Sequence, residues 1–213
     1  MKTNAEVRVE TLNQLVGLEP FLEILLAISL SVATGFRIFI PLLVLSAAAV
    51  LGHFDYPAEL DWLESSPALI VLSIACLLEI AGYYVPWFDN ALDILATPSA
   101  IIAGTIVAAS VMPDLDPIAQ WTFALVAGGG AAGLTKGLMT TVRSIFTAAS
   151  GGFANPIFST LELVVATTLA LLAVLVPALA ILLVFGILVV AVLQLRQLFA
   201  KPSSPRSDQA PST

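Results

Sequence analysis

Residues 33–41 read Ala-Thr-Gly-Phe-Arg-Ile-Phe-Ile-Pro, which places Arg37 inside the first long apolar run of the chain. An arginine in hydrocarbon costs about 2.5–3.5 kcal/mol on insertion scales, so it normally faces a protein interior or a wet cavity and has a partner. Gly35 weakens a helix and Pro41 breaks one, so a helix is disfavoured on both sides of the charge. The stretch therefore predicts a membrane protein whose first span is broken beside a buried charge.

The composition of the chain also indicates a membrane protein. Of its 213 residues, 59% are hydrophobic and 11% are charged, which is too little polar surface to cover a soluble globule. A net charge of −7 without a basic patch argues against nucleic acid as a partner, and the expected partner is the lipid bilayer. The one cysteine, Cys76, forms neither a disulfide framework nor a metal site and is expected to be a small buried filler.

Long apolar runs predict an all-α, polytopic transmembrane bundle of about six spans, because about 20 residues cross a hydrocarbon core of about 30 Å. The runs cover about residues 21–51, 67–86, 94–112, 118–147, 157–176 and 178–198. The last two are divided at Pro177, since one straight helix over both would be nearly twice as long as the core is thick. A tight hairpin at Pro177 gives six spans, whereas a kinked helix that projects from the membrane gives five.

The distribution of basic residues predicts the orientation of the chain. Lys2 and Arg8 precede the first span and Lys201 and Arg206 follow the last, whereas the loop after the first span carries acidic residues and no Lys or Arg. By the positive-inside rule, both termini are cytoplasmic. We expect a cytoplasmic or interfacial segment at 1–20, a transmembrane domain at 21–199 and a disordered, Pro- and Ser-rich tail at 200–213.

The two halves of the chain share a weak pattern. Arg37, in a broken helix, is followed by a span with Glu79, and Lys136, in a Gly-rich helix, is followed by a span with Glu162. One interpretation is an inverted three-plus-three repeat with broken first and fourth helices, as in many secondary transporters. The different depths of the two glutamates in their spans argue against a strict repeat.

Small residues recur every four positions in the third and fourth spans: Ala100, Gly104 and Ala108, then Gly129, Gly133 and Gly137. This spacing puts them on one helix face and predicts close packing of helix backbones. A direct role in ligand binding is the alternative. The run Gly128–Gly130 also predicts a local break in the fourth helix.

The charges in apolar runs are the best candidates for a site. Arg37, Glu79, Lys136 and Glu162 are two cations and two anions, and burial of any one without a partner would be strongly unfavourable. One interpretation is an ion-pair network that fixes helix register, with Arg37 and Glu79 as a predicted pair. The other is a substrate site at Arg37, Glu79 and Lys136, in which a half-helix N-terminus and Arg37 attract an anionic group while Glu79 exchanges protons.

Gly35 and Pro41 complete the predicted substrate site, because they would create the helix break that presents it. Three other residues have structural interpretations. Arg143, near the end of the fourth span, is expected to be an interfacial anchor. Asn155 and Glu162, at the start of the fifth span, are expected to stabilise helix packing.

Two pairs of loop carboxylates raise the question of a metal site or an enzyme. Asp89 with Asp93, and Asp114 with Asp116, could bind Mg²⁺ or Ca²⁺, but capping of the following helices explains both pairs. The sequence has no Gly-rich phosphate loop, no His-rich zinc spacing and no nucleophile elbow. We therefore expect no catalytic residues, no metal and no cofactor.

Several motifs carry a resemblance to a known family. They are TGFR at 34–37, VPWFDNALD at 85–93, AGGGAAG at 127–133 and GGFANP at 151–156. They resemble those of a bacterial integral-membrane family catalogued as a domain of unknown function, number four-one-two-six. The resemblance covers about residues 20–195 and implies a bacterial inner-membrane location, but no activity. Many members of that family have an Asp-Lys pair where this chain has Tyr83-Tyr84.

These patterns lead to two hypotheses of function. The first is a transporter or channel-like protein for a small solute, with an anion as one candidate, and it predicts that water reaches Arg37. The second is a membrane scaffold or assembly factor, which predicts a dry ion pair and a large exposed face of small residues. A homo-oligomer is compatible with either hypothesis.

Overall fold

The computed structural model describes residues 21–52, 58–83, 86–112, 116–151, 153 and 155–199. Throughout these ranges the regular structure is helical and no strand occurs, which confirms the all-α class. The predicted terminal segments 1–20 and 200–213, and Asp114, lie outside the described residues. The helices are α1 (Phe21–Phe36), α2 (Phe39–Val50), α3 (Ser66–Gly82), α4 (Pro86–Ser110), α5 (Pro117–Phe123), a π-helical segment (Ala124–Gly129), α6 (Gly130–Ser150), α7 (Asn155–Leu175) and α8 (Pro177–Phe199), and a 3-10 segment (Ala58–Glu64) precedes α3.

Helix length and apolar composition together identify one helix that could cross a membrane. This helix is α7, with 21 residues. The other apolar helical stretches in the described ranges have 10–17 residues: Phe21–Phe36, Phe39–Val50, Ser66–Gly82, Leu95–Ser110 and Pro177–Val190. One such helix is weak evidence for a membrane protein, so helix length by itself does not establish a bundle of six spans.

Capping residues at loop positions decide where several helices begin and end. The Ser65 hydroxyl accepts a hydrogen bond from the Ala68 amide at 3.2 Å at the start of α3. Asp116 accepts one from the Ala119 amide at 3.4 Å in front of α5, so the capping interpretation of this carboxylate is confirmed. Helix α6 ends at Gly151, whose φ of +63° lies in the left-handed region that favours glycine.

The predicted break in the first span lies at Arg37 and Ile38, where α1 ends and α2 begins. Pro41 is the third residue of α2, in the first turn, where the amide that proline lacks has no helical partner in any case. Pro41 therefore fits the start of α2 and does not kink it. The break comprises Arg37 and Ile38, and Gly35 remains inside α1.

The fourth predicted helix is not broken, contrary to expectation. From α5 through the π-helical segment into α6 the backbone stays right-handed helical, with φ of −60° and ψ of −40° at Gly129 and φ of −60° and ψ of −49° at Gly130. The glycines do not open the helix because this region packs closely against α4. Its local irregularity is one turn of π-helix.

The boundary predicted at Pro177 is present. Helix α7 ends at Leu175 and α8 begins at Pro177, and the two helices pack against each other. The amides of Leu179 and Ala180 donate hydrogen bonds to the Val176 carbonyl oxygen, which starts α8. A proline at the first position of a helix loses no helical hydrogen bond.

Many large apolar side chains are exposed, whereas several charged side chains are buried. Large apolar side chains are exposed on the outer faces of α3, α7 and α8; examples are Leu78 (66%), Leu175 (73%) and Phe185 (65%). The core contains mainly Leu and Ala, with Cys76 buried among them as expected. It also encloses charged side chains that are 1–6% exposed: Arg37, Glu79, Lys136, Arg143 and Glu162.

Candidate functional site

Three cationic side chains surround the ring of Tyr83. The distance to the ring centroid is 4.1 Å from Cζ of Arg37, 5.3 Å from Nζ of Lys136 and 4.7 Å from Cζ of Arg143. Lys136 Nζ also donates a hydrogen bond to the Tyr83 hydroxyl oxygen at 3.1 Å. Because an aromatic face attracts cations, one buried tyrosine holds like charges together. We call this group the Tyr83 cluster, and it comprises Arg37, Tyr83, Lys136, Arg143, Ser159 and Glu162.

The local fold explains why these side chains meet. Tyr83 is the residue that ends α3, and Arg37 lies at the break between α1 and α2. Lys136 and Arg143 are seven residues apart in α6, which is two helical turns and one helix face. The remaining members, Ser159 and Glu162, are three residues apart on one face of α7.

Arg143 is paired within the core and is not an interfacial anchor. Its Nη2 atom donates to Oε2 of Glu162 in a buried ion pair, and its guanidinium carbon lies 5.7 Å from the centroid of the Phe158 ring. The prediction of an interfacial position was wrong because α6 continues to Ser150, two turns beyond Arg143. Removal of either partner would leave a buried charge without compensation.

Arg37 uses only part of its hydrogen-bonding capacity. Its side chain is 1% exposed, and Nη2 donates to the carbonyl oxygen of Ser159 at 2.7 Å. Among the described residues, Nε and Nη1 have no hydrogen-bond acceptor. Buried guanidinium groups normally satisfy their five N–H donors, so this arginine retains donors for a further acceptor.

Glu79 caps the helix that begins after the break. Its two carboxylate oxygens accept hydrogen bonds from the amides of Ile38 at 2.9 Å and Phe39 at 3.1 Å. The predicted direct pair of Arg37 with Glu79 is therefore wrong for the described structure. A helix break frees backbone amides that need acceptors in an apolar interior, and a carboxylate at a helix N-terminus supplies them. The helix end that was predicted to attract a solute is occupied by this side chain.

Gly35 and Pro41, the other predicted substrate-site residues, have packing roles. A Cβ atom on Gly35 would lie 2.7 Å from the carbonyl oxygen of Ala132, and it would also overlap with Thr135. Gly35 thus allows α1 to approach α6 closely. Pro41 is fully buried in the first turn of α2.

The predicted packing glycines of the fourth helix behave differently from one another. A Cβ atom on Gly129 would lie 2.6 Å from Oγ1 of Thr105, and one on Gly133 would lie 2.7 Å from Cγ1 of Ile101. Both glycines therefore pack against α4. For Gly137, in contrast, no described atom lies within 4 Å of an added Cβ, so the four-residue spacing does not extend the contact to this turn.

Asn155 connects the end of α6 with the start of α7. Its side-chain oxygen accepts a hydrogen bond from the Thr147 hydroxyl at 2.7 Å. Within the part of the chain that the structure describes, no group of three His, Cys, Asp or Glu residues is arranged to hold a metal ion. The side chains of Asp89 and Asp93 are outside that part.

Three members of the Tyr83 cluster were not predicted from the sequence. Tyr83 and Arg143 are residue types that are common at membrane interfaces, and a single serine such as Ser159 in an apolar helix does not indicate a site. The spacing of seven residues between Lys136 and Arg143 could have identified the second cation, since it predicts one helix face. No local pattern predicts Tyr83, because its partners lie more than 40 residues away in the sequence.

Comparison with known proteins gives one result. The sequence profile of the family described as Domain of unknown function (DUF4126) matches residues 24–197, which contain every described member of the Tyr83 cluster. Neither the curated proteins nor the solved structures contain a significant match. The profile covers most of the chain, and the chain therefore belongs to the DUF4126 family.

Proposed function

We propose that this chain is a polytopic membrane protein that binds a small solute at the Tyr83 cluster and passes it across the bilayer. The observation that carries the proposal is the guanidinium of Arg37, which is buried in an apolar bundle and has two nitrogen atoms without an acceptor among the described residues. Charged groups within membrane-embedded helices are costly and usually mark a solute or ion pathway.

The surface of the bundle supports a position in the membrane. Exposed Leu, Ile, Val and Phe side chains cover the outer faces of α3, α7 and α8, whereas soluble monomers seldom expose contiguous apolar patches of more than a few hundred Å². In a bilayer the same side chains would contact lipid and would need no protein partner. The charged residues are buried in the interior, which is where charged side chains of a membrane-embedded bundle are normally found.

The helix boundaries are compatible with about six crossings. Helices α4, α7 and α8 have 25, 21 and 23 residues, close to or above the length of about 20 residues that a crossing needs. Helices α1 and α2 together would make one crossing that is interrupted at Arg37, and α5 to α6 would make another. We further propose that the chain is a bacterial inner-membrane protein with both termini in the cytoplasm, following the distribution of basic residues.

A membrane scaffold or assembly factor remains the rival function. The buried pair of Arg143 with Glu162 is the type of contact that a scaffold would use to fix helix register. However, two of the small residues that a scaffold would expose for a partner, Gly104 and Gly128, pack inside the chain. A Cβ atom on Gly104 would lie 2.5 Å from Cβ of Ala132, and one on Gly128 would lie 2.6 Å from the Gly104 carbonyl oxygen.

Reconstitution into liposomes tests the proposed function. The purified chain is compared with protein-free liposomes for uptake of acetate, phosphate, glycine, glucose and ammonium. We expect faster uptake of at least one of these solutes, and we expect Arg37→Gln to abolish it. Gly137→Ala is the matched control, because an added Cβ there meets no described atom.

The rival function predicts a different outcome of the same comparison. If the wild type passes none of these solutes and an Arg37→Gln chain fully complements a deletion strain, transport is contradicted. The scaffold function would then explain the buried charges.

A further inference from the structure

The buried polar atoms that lack partners are concentrated at one place in the fold. Within the described residues they are Nε and Nη1 of Arg37 and the hydroxyl oxygens of Ser29, Thr140 and Ser159. Such atoms are rare in native proteins, because a buried polar group without a partner destabilises the fold. All of them except Ser29 belong to residues in, or directly beside, the Tyr83 cluster.

Helix geometry places Thr140 at the cluster. Lys136, Thr140 and Arg143 follow one another at intervals of four and three residues in α6, so they lie on one face. Lys136 and Arg143 both lie over the Tyr83 ring, and Thr140 lies between them along the same helix. Ser159 is joined to the cluster directly, since its carbonyl oxygen accepts the hydrogen bond from Arg37.

The unpartnered groups can all act as hydrogen-bond donors. The N–H groups of a guanidinium only donate, and a hydroxyl can donate to any acceptor that approaches it. The two buried carboxylates of this region are already engaged, Glu79 by backbone amides and Glu162 by Arg143. A cationic ligand would find no unengaged carboxylate among the described residues of this region, whereas an acceptor with negative charge would find donors and cations.

The donors come from separate elements of the fold, which constrains the ligand further. Arg37 lies at the break between α1 and α2, Thr140 is in α6 and Ser159 is in α7. An oxyanion presents several oxygen atoms and can accept from all three residues, and the planar guanidinium matches carboxylate and phosphate groups well. We infer that the ligand of the Tyr83 cluster is a small oxyanion held by Arg37, Thr140 and Ser159.

This inference rests on the solute site of the proposed function and adds the chemical class of the solute. The helix N-terminus at Ile38 is not part of the binding site, because Glu79 already accepts its hydrogen bonds. Recognition therefore depends on side-chain donors. This distinguishes the site from one formed by a half-helix end.

Thermal unfolding of the full chain in dodecyl maltoside micelles tests the class of ligand. Sodium acetate, nitrate and phosphate are compared with sodium chloride and with neutral acetamide at matched ionic strength. We expect a saturable rise in unfolding temperature with at least one oxyanion. An equal rise with chloride or acetamide, or no rise with any oxyanion, would overturn the inference.

Two conservative variants test the donor set without a change of charge. Thr140→Val and Ser159→Ala each remove an unpartnered hydroxyl, so the unliganded chain should unfold at the same or a higher temperature. Each should raise the dissociation constant of the oxyanion about tenfold, which corresponds to about 1.4 kcal/mol. Thr141→Val is the matched control, since the Thr141 hydroxyl is exposed and donates to the Gly137 carbonyl oxygen. Wild-type affinity in both cluster variants would contradict the inference.

Two further arms separate the possible outcomes. Phosphatidylglycerol added to the phosphate-free micelles shows whether the oxyanion is a lipid headgroup; stabilisation by this lipid but not by free phosphate would identify that source. Oxyanion binding without uptake into liposomes would overturn transport and leave the ligand class intact. Uptake of a neutral solute without oxyanion binding would overturn the ligand class and leave transport intact.

Discussion

Glu79 supplies hydrogen-bond acceptors to backbone amides that a helix break would otherwise leave without partners. The break after Arg37 frees the amides of Ile38 and Phe39 in a buried region, and the Glu79 carboxylate accepts both of their hydrogen bonds. The same carboxylate reduces the positive charge near the Tyr83 cluster. Glu79 therefore has a structural role that does not depend on transport.

We predict that Glu79 variants lose stability in proportion to the acceptors that they lose. Glu79→Leu leaves two buried amides without acceptors and should destabilise the fold by about 1–3 kcal/mol. Glu79→Gln retains one oxygen and should lose less. The measurement is unfolding in mixed micelles, with the exposed neighbour Leu78→Ala as the control. Equal stability of Glu79→Leu and wild type would contradict the capping role.

A second prediction concerns the pair of Arg143 with Glu162. Arg143→Met and Glu162→Leu should each destabilise the chain by about 3–5 kcal/mol, because each removes one partner of a buried ion pair. The double variant should lose less than the sum of the single losses. The control is the double variant Arg143→Met with Glu79→Gln. These two residues form no direct pair in the described structure, so the losses of the two single variants should add. Additive losses for Arg143 and Glu162 would show that the ion pair does not contribute.

The sequence predicted which charges are buried better than it predicted their partners. Hydropathy identified Arg37, Lys136 and Glu162, because the cost of a charge in an apolar run is a local property. Partner choice depends on how distant helices pack. Arg37 was assigned to Glu79, whereas it contacts Ser159 and Tyr83, and no periodicity along the chain encodes that arrangement.

At the scale of elements, close helix contacts determine where glycine is required. The π-helical segment and α6 lie against α4, and a Cβ atom on Gly128 would lie 2.6 Å from the Gly104 carbonyl oxygen. Gly137 lies two turns further along and meets no described atom. The two glycines look alike in the sequence but differ in their surroundings.

This difference gives a matched prediction. Gly128→Ala should destabilise the chain by about 1–3 kcal/mol, because packed backbone must shift to admit a methyl group. Gly137→Ala should leave stability unchanged or raise it by up to about 1 kcal/mol, since alanine favours a helix. Unfolding temperatures of the two variants in the same detergent provide the comparison. A loss at Gly137 equal to that at Gly128 would indicate a contact of Gly137 outside the described residues.

The elements themselves were largely predictable, and their irregularities were not. Apolar runs and prolines placed the boundaries near Pro67, Pro117 and Pro177, since these signals are local. The triple glycine was predicted to break the fourth helix, but tertiary packing against α4 keeps it helical. Tertiary packing also makes Gly35 necessary, because an added methyl group there would meet α6.

At the scale of the whole molecule, many large apolar side chains are exposed, whereas five charged side chains of the described residues are buried among apolar ones. Leu78 on α3 and Phe185 on α8 are about two thirds exposed, whereas Arg37 is 1% exposed. This distribution is unfavourable in water and favourable in a bilayer, where only the interior of a bundle can accommodate charge. The proposed solute site depends on that environment.

Accessibility of spin labels to oxygen and to a water-soluble nickel chelate tests the membrane position most directly. In a Cys76→Ala background, single labels are attached to the reconstituted chain at Leu78→Cys, Phe185→Cys and Asp61→Cys. We predict that oxygen collides more often than the chelate at the first two positions, because oxygen concentrates in lipid. The chelate should prevail at Asp61, which is exposed in the 3-10 segment. Chelate collisions as frequent at Leu78 and Phe185 as at Asp61 would contradict a lipid-facing bundle with a charged interior.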